Sequence, residues 1–133
     1  WINQRLKTIE VRKELTDEWD NRGVKEGVEY AILTDEITKA WSGFNVREYK
    51  KLKSLKKENL RDNMNNMELI LNMLAEATTT EISKKEKPDS FSKNKDVAKK
   101  GGKIAGNTRK EIEKHIGNKV ITPNNKKLTH SEK

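Results

Sequence analysis

Leu60, Met64, Met67, Leu71, Leu74, Thr78 and Ile82 recur at spacings of four, three, four, three, four and four residues. That interval follows one face of an α-helix; a strand face would repeat every second residue. Ile70 and Met73 widen the seam, and Asn63 or Asn65 stands where a helix N-cap is needed. The spacing predicts a helix over about residues 65–82. Leu71 and Leu74 are its central packing residues. A stripe this apolar does not stay solvated. It becomes the core of the domain or the seam of a helix-mediated dimer. The predicted fold class is all-α, an irregular helical domain built on this central helix.

Shorter signals surround it. Ile2, Leu6 and Ile9, then Val11, Leu15 and Trp19, form a helical stripe with a phase slip near Val11. Gly23 is placed to end that helix in a left-handed cap. Residues 29–33 read as a short apolar patch of extended chain. Thr34 and Asp35 read as the cap of a short helix ending near Gly43. Asn45, with Glu48 three residues on, has the form of a capping box, and Val46, Tyr49, Leu52 and Leu55 supply an apolar edge.

Composition then divides the chain. Residues 1–83 hold 14 basic and 15 acidic groups, whereas residues 84–133 hold 15 and 6. Leu, Ile, Val and Phe number 20 in the first stretch and only 8 in the second. The first part can build a core; the second must dock or stay mobile, and its charge suits an anionic partner. The expected organisation is a helical core over residues 1–83, a polar linker containing Pro88 over 84–94, a basic glycine-rich docking helix over 95–117, and a flexible tail over 118–133. The docking helix has small residues at Ala98, Gly102 and Gly106, four apart, with Gly101 and Ala105 beside them. Each interior glycine costs a helix about 1 kcal/mol against alanine. Gly102 and Gly106 therefore read as packing residues that admit a close partner, with the central helix the expected neighbour.

Several chemistries drop out. There is no cysteine, which removes disulfides, thiolate nucleophiles and Cys-ligated metal. No apolar run approaches the roughly 18 residues of a membrane span, and no signal peptide is visible. The expected location is the cytoplasm. Trp1, with no Met before it, leads us to expect a piece of a longer protein. The glycines at 101, 102 and 106 do not have Walker-loop spacing, because Ile104 follows Lys103 where Ser or Thr is required. Glu18, Asp20, Gly23 and Glu29 imitate a calcium loop, but Arg22 would place a cation against the ion. His115 and His130 belong to no ligand pattern and read as solvated. Asp62, Glu68 and Glu76 lie near the central helix without a nucleophile or metal set, and read as exposed or lysine-paired. No catalytic residue, metal, cofactor or small-molecule substrate is expected.

Residues 47–61 carry the clearest binding signal. Arg47, Lys50, Lys51, Lys53, Lys56, Lys57 and Arg61 face only Glu48 and Glu58. Lys50, Lys53, Lys57 and Arg61 would share one face if a single helix ran through them. Tyr49 lies among them, either to stack on a base or to pack inward. Such a stripe gives phosphate affinity without reading sequence. A merely solvated lysine face is the competing reading. Lys103 and Arg109 extend the basic set into the tail.

Ordered segments also resemble a known family. They are Glu29-Tyr30-Ala31-Ile32-Leu33 through Trp41-Ser42-Gly43, Arg47-Glu48-Tyr49-Lys50-x-Leu52-Lys53-x-Leu55-Lys56-Lys57, Leu60-Arg61-Asp62-Asn63-Met64, Met67-Glu68-Leu69, and Gly102-x-x-Ala105-Gly106 followed by Arg109 and Ile112. Over about residues 5–122 the chain resembles the C-terminal region of the DNA-damage-inducible protein D family of bacterial and prophage proteins. The resemblance implies an association with the SOS response and with modulation of recombinase filaments on DNA. It also implies an antirepressor-like N-terminal domain, which is not among these residues, and it carries over no catalytic residue. The expected function is a non-enzymatic regulatory module that binds DNA or a recombinase–DNA filament. The alternative is a protein–protein or homodimerisation module serving that N-terminal domain.

Overall fold

The computed structural model describes residues 2–125. Five α-helices and a single 3-10 turn build that span, with no strand among the described residues. They are α1 (Ile2–Asn21), α2 (Val28–Ser42), α3 (Val46–Leu52), the 3-10 turn (Arg61–Asn63), α4 (Asn66–Glu86) and α5 (Phe91–Ile116). The fold is all-α. Helix α4 is touched by α1, α2 and α5, and α5 packs along both α2 and α4. No helix among the described residues is long and apolar enough to cross a membrane.

The element ends follow from local chemistry. Asn45 accepts from the Glu48 amide while the Glu48 carboxylate takes the Asn45 amide, a capping box that starts α3. Asn65 and Glu68 repeat the device at the start of α4. Gly43, with φ of 86°, and Gly117, with φ of 75°, close α2 and α5 in the left-handed region that glycine enters without steric cost. Ser90 caps α5 through the Lys93 amide. That helix starts at Phe91 and α4 runs to Glu86, so residues 87–90 alone connect them, where a linker over 84–94 was expected. Residues 118–125 are coil but engaged, with Val120 buried. Residues 126–133, which include His130, lie outside the described residues.

Two expectations about the helices are corrected. Residues 29–33 are not extended, and Thr34 and Asp35 do not cap a helix. Helix α2 already begins at Val28, and both residues are interior to it. The Thr34 hydroxyl donates back to the Tyr30 carbonyl, 2.7 Å, as mid-helix threonines do. Asp35 instead accepts from the Val46 amide at 3.0 Å, at the start of α3, whose cap is Asn45. The seam on α4 is also shifted. Leu71 is buried and Leu74 half-buried, but Leu60 and Met64 lie before the helix, and Met67 and Ile70 are exposed. The buried face of α4 instead includes Glu68, Asn72, Ala75, Thr79 and Ser83. Small polar side chains on that face allow another backbone to approach closely.

That backbone belongs to α5. A Cβ on Gly101 would stand 2.8 Å from the Thr79 backbone of α4. One on Gly102 would stand 2.6 Å from the Ile37 carbonyl oxygen of α2, and one on Gly106 2.6 Å from that of Ala40. Helix α5 is thus wedged between α2 and α4. The partner expected from sequence was α4; only Gly101 faces it, and Gly102 and Gly106 face α2. On α1 the phase slip separates two faces: Val11, Leu15 and Trp19 are in the core, whereas Leu6 and Ile9 are exposed.

Candidate anion-binding interface

The single basic stripe over residues 47–61 does not form. Helix α3 stops at Leu52, and Ser54 has φ of 58°, which turns the chain out of the helix. Lys50, Lys53, Lys57 and Arg61 therefore go to different places. Lys53 is fully buried, and its ammonium donates to Glu68 at 2.9 Å and to the carbonyls of Thr122 and Asn124 at 2.7 and 2.8 Å. All three of its donors are used, and none reaches solvent. Lys53 is thus a strap anchor rather than a surface cation. Asn65 reinforces the strap through the Val120 carbonyl at 3.1 Å, as does Glu113 through the Val120 amide at 3.0 Å.

Glu68 gathers this end of the molecule. Besides Lys53 and its own cap, it accepts a short hydrogen bond from the Tyr49 hydroxyl. Tyr49 packs inward against Trp41 and Phe44, with ring centroids 6.0 and 6.1 Å apart, and so offers no face to a base. Burial, then the Glu68 charge, hold the Tyr49 hydroxyl protonated far above the ordinary tyrosine value. The second buried carboxylate, Glu76, is shared by Arg12 at 3.0 Å and Arg61 at 2.9 Å. Burial pushes the Arg12 pKa down; the Glu76 charge opposes the shift and the Arg61 charge adds to it. Asp62 pairs with Arg5 at 2.5 Å. Asp62, Glu68 and Glu76 are therefore ion-pair partners, of arginine in two cases and of lysine in one.

Arg61 is tied to Glu76, and Arg109 is tied to the Trp41 carbonyl and to Glu113, each at 2.8 Å. Lys50 is half-buried at a cavity wall. Arg47, Lys51, Lys56, Lys57 and Lys103 are exposed, and none of their side chains forms an ion pair among the described residues. Lys103 is joined on α5 by Lys99, Lys110 and Lys114, which sequence reasoning left out. Steps of four, seven and four residues keep these lysines on one face of the helix. All four are exposed. The face borders the α2 contact, where Lys99 reaches Glu36 at 3.8 Å. The periodicity was readable, but the glycines beside it drew attention to the packing edge.

At the end of α5, Lys110, Lys114 and Lys119 line a shallow groove with Glu113, Gly117 and Asn118. Glu113 does not oppose an anion there with a free charge. Burial would raise its pKa, but the Val120 amide and Arg109 outweigh burial and hold it below the ordinary glutamate value. His115 is exposed beside Glu111 at 3.1 Å. No group of three or more His, Asp or Glu able to hold a metal occurs among the described residues.

In this all-α domain the buried carboxylates Glu68 and Glu76 are held in internal ion pairs, and exposed lysines stand along one face of α5. The family model for the DinD C-terminal domain matches residues 2–129, so the chain belongs to that family. The match covers the stretch on which the resemblance was read. No curated protein and no solved structure is matched.

Proposed function

We propose that this domain is a non-enzymatic module of the DNA-damage (SOS) response that binds DNA, or a recombinase filament on DNA, through its lysine faces. One observation carries the reading. Lys103, Lys110 and Lys114 stand exposed, and without ion pairs among the described residues, on one face of a helix locked in place by its glycines. A rigid row of lysines supplies phosphate contacts at little ordering cost, and these give affinity without base recognition. Arg47, Lys51, Lys56 and Lys57 extend the cationic surface beyond α5. The buried carboxylates contribute structure, and the domain works without a catalytic step, in the cytoplasm. Binding of the domain to single-stranded DNA, duplex DNA and a recombinase filament across a salt series tests it. A steep loss of affinity with salt supports the reading; no binding at low salt to any of the three rejects it.

A second reading, a homodimerisation module, draws on Leu6 and Ile9, which are 60% and 51% exposed on one end of α1. Exposed apolar neighbours of this kind mark contact surfaces when they are contiguous. Sedimentation over a wide concentration range decides it: a dimer weakened by Leu6→Lys supports it, and a monomer throughout rejects it.

A further inference from the structure

Helices α2 and α5 meet so closely that their outer edges form one surface. A Cβ on Gly102 would stand 2.6 Å from the Cβ of Ala40, and one on Gly106 2.6 Å from the Ala40 carbonyl oxygen. Ala40 therefore sits between the two glycines, and Lys39 beside it is level with Lys103. The contact of Lys99 with Glu36 at 3.8 Å lies on the same edge of α2. Lys39 is three residues beyond Glu36, about one turn further along that edge. It is exposed and has no ion pair among the described residues. Lys39 thus joins Lys99, Lys103, Lys110 and Lys114 in one cationic surface built on two helices. The nearby carboxylates are mostly engaged. Glu36 meets Lys99, Asp35 takes the Val46 amide, Glu113 holds Arg109 and Glu111 lies against His115. Asp96 stands exposed at the start of the face, ahead of Lys99.

The lysines of α5 come as two pairs. Lys99 and Lys103 are about 6 Å apart along the helix axis, as are Lys110 and Lys114, and about 10 Å separates the pairs. Uncharged Asn107 stands exposed in that gap. The major groove of B-DNA is about 12 Å wide and bounded by phosphates on both sides. A helix laid across it brings one lysine pair to each bank. We propose that the α2–α5 seam, with Lys39 as its further cation, is a duplex-DNA surface that bridges the major groove and discriminates against single strands. The inference rests on the reading of the lysine face as the DNA-binding surface. A single strand has no second bank. Proteins that hold single strands also stack bases on aromatic rings set among their cations. This surface has no such ring: Trp19, Trp41 and Tyr49 are buried, and Tyr30, Phe44 and Phe91 pack against the core. Without stacking, phosphate density decides, and a duplex carries about twice the charge per length of one strand.

Fluorescence anisotropy of the domain with a mixed-sequence DNA duplex, one of its single strands and an RNA duplex of the same length, across a salt series, tests the proposal. The DNA duplex should bind about tenfold or more tighter than the single strand at matched nucleotide concentration. It should also bind tighter than the RNA duplex, whose major groove is deep and narrow at similar charge. Lys39→Gln breaks no ion pair among the described residues, so its fold is retained. Its slope of log affinity against log salt on the DNA duplex should fall by about 0.9, with affinity at about 50 mM salt reduced about tenfold. Lys13→Gln, on α1, should leave both unchanged. Absence of binding to all three at low salt would reject the lysine-face reading itself, and this assignment with it. Binding to the single strand or the RNA duplex as tight as to the DNA duplex would overturn the duplex assignment alone. So would a folded Lys39→Gln that binds like the parent, or a Lys13→Gln that loses as much.

Discussion

The Lys53 ammonium lies 2.9 Å from the Glu68 carboxylate, and neither side chain is exposed to solvent. The pair joins three separate parts of the chain: the end of α3, the cap of α4 and the segment after α5. Lys53→Met would leave Glu68 buried without its countercharge and would free the carbonyls of Thr122 and Asn124. Removing one partner of a buried pair costs about 3–5 kcal/mol. Denaturant unfolding should show a loss of that order, with faster hydrogen exchange at Val120. A change below about 1 kcal/mol would show that the strap does not depend on this pair.

Gly102→Ala and Gly106→Ala should both destabilise. Alanine regains about 1 kcal/mol of helix propensity. The new methyl group, however, would sit 2.6 Å from a carbonyl oxygen of α2. Backbone cannot move aside as a side-chain tip can, and overpacking costs about 1–3 kcal/mol. Leucine at either site should undock α5 and raise exchange across residues 95–116. A stabilised alanine variant by thermal unfolding would contradict the wedge between α2 and α4.

Residues on α4 should separate by burial. Leu71→Ala should cost about 2–5 kcal/mol, as large-to-small changes in a core do. Ile70→Ala, at an exposed position, should stay within about 0.5 kcal/mol. Equal losses in unfolding experiments would place the seam on the face predicted from spacing rather than on the observed one.

Those cases show what was legible. The capping box at Asn45, a cap at Asn63 or Asn65 for α4, and the closing glycines of α2 and α5 could be read directly, because a cap is settled within four residues; the second box, Asn65 with Glu68, was read only as a cap position. The small residues of α5 announced close packing for the same local reason, although not which helix they meet. The start of α2 was misread because Thr34 and Asp35 carry cap chemistry that is used elsewhere, on Tyr30 and on Val46. The lysine stripe failed at Ser54, whose left-handed backbone nothing in the sequence requires. Lys53 could not be told from its neighbours, because its burial depends on Glu68 and on carbonyls about seventy residues away.

The pH dependence follows from two groups. Glu113 has a depressed pKa, so its contribution is complete above the unfolded value near 4.5 and is lost as pH falls through the lower folded value. The strap over residues 118–125 should therefore loosen in acid before the core melts. Tyr49 has a raised pKa, so its contribution is complete below the unfolded value of 10.0 and declines as pH rises beyond it. Exchange at Val120 measured against pH, alongside global unfolding, checks both. A strap that loosens only with the core would contradict the first.

The lysine face of α5 is tested most directly by the salt dependence of DNA affinity after Lys103, Lys110 and Lys114 are all changed to Glu. Each phosphate contact contributes about 0.9 to the slope of log affinity against log salt on duplex DNA. The account predicts a fall in slope of about two to three, with affinity at low salt reduced by at least tenfold and the fold unchanged by circular dichroism. A triple variant that remains folded and binds DNA with the original slope and affinity would contradict the claim that this face is the interface.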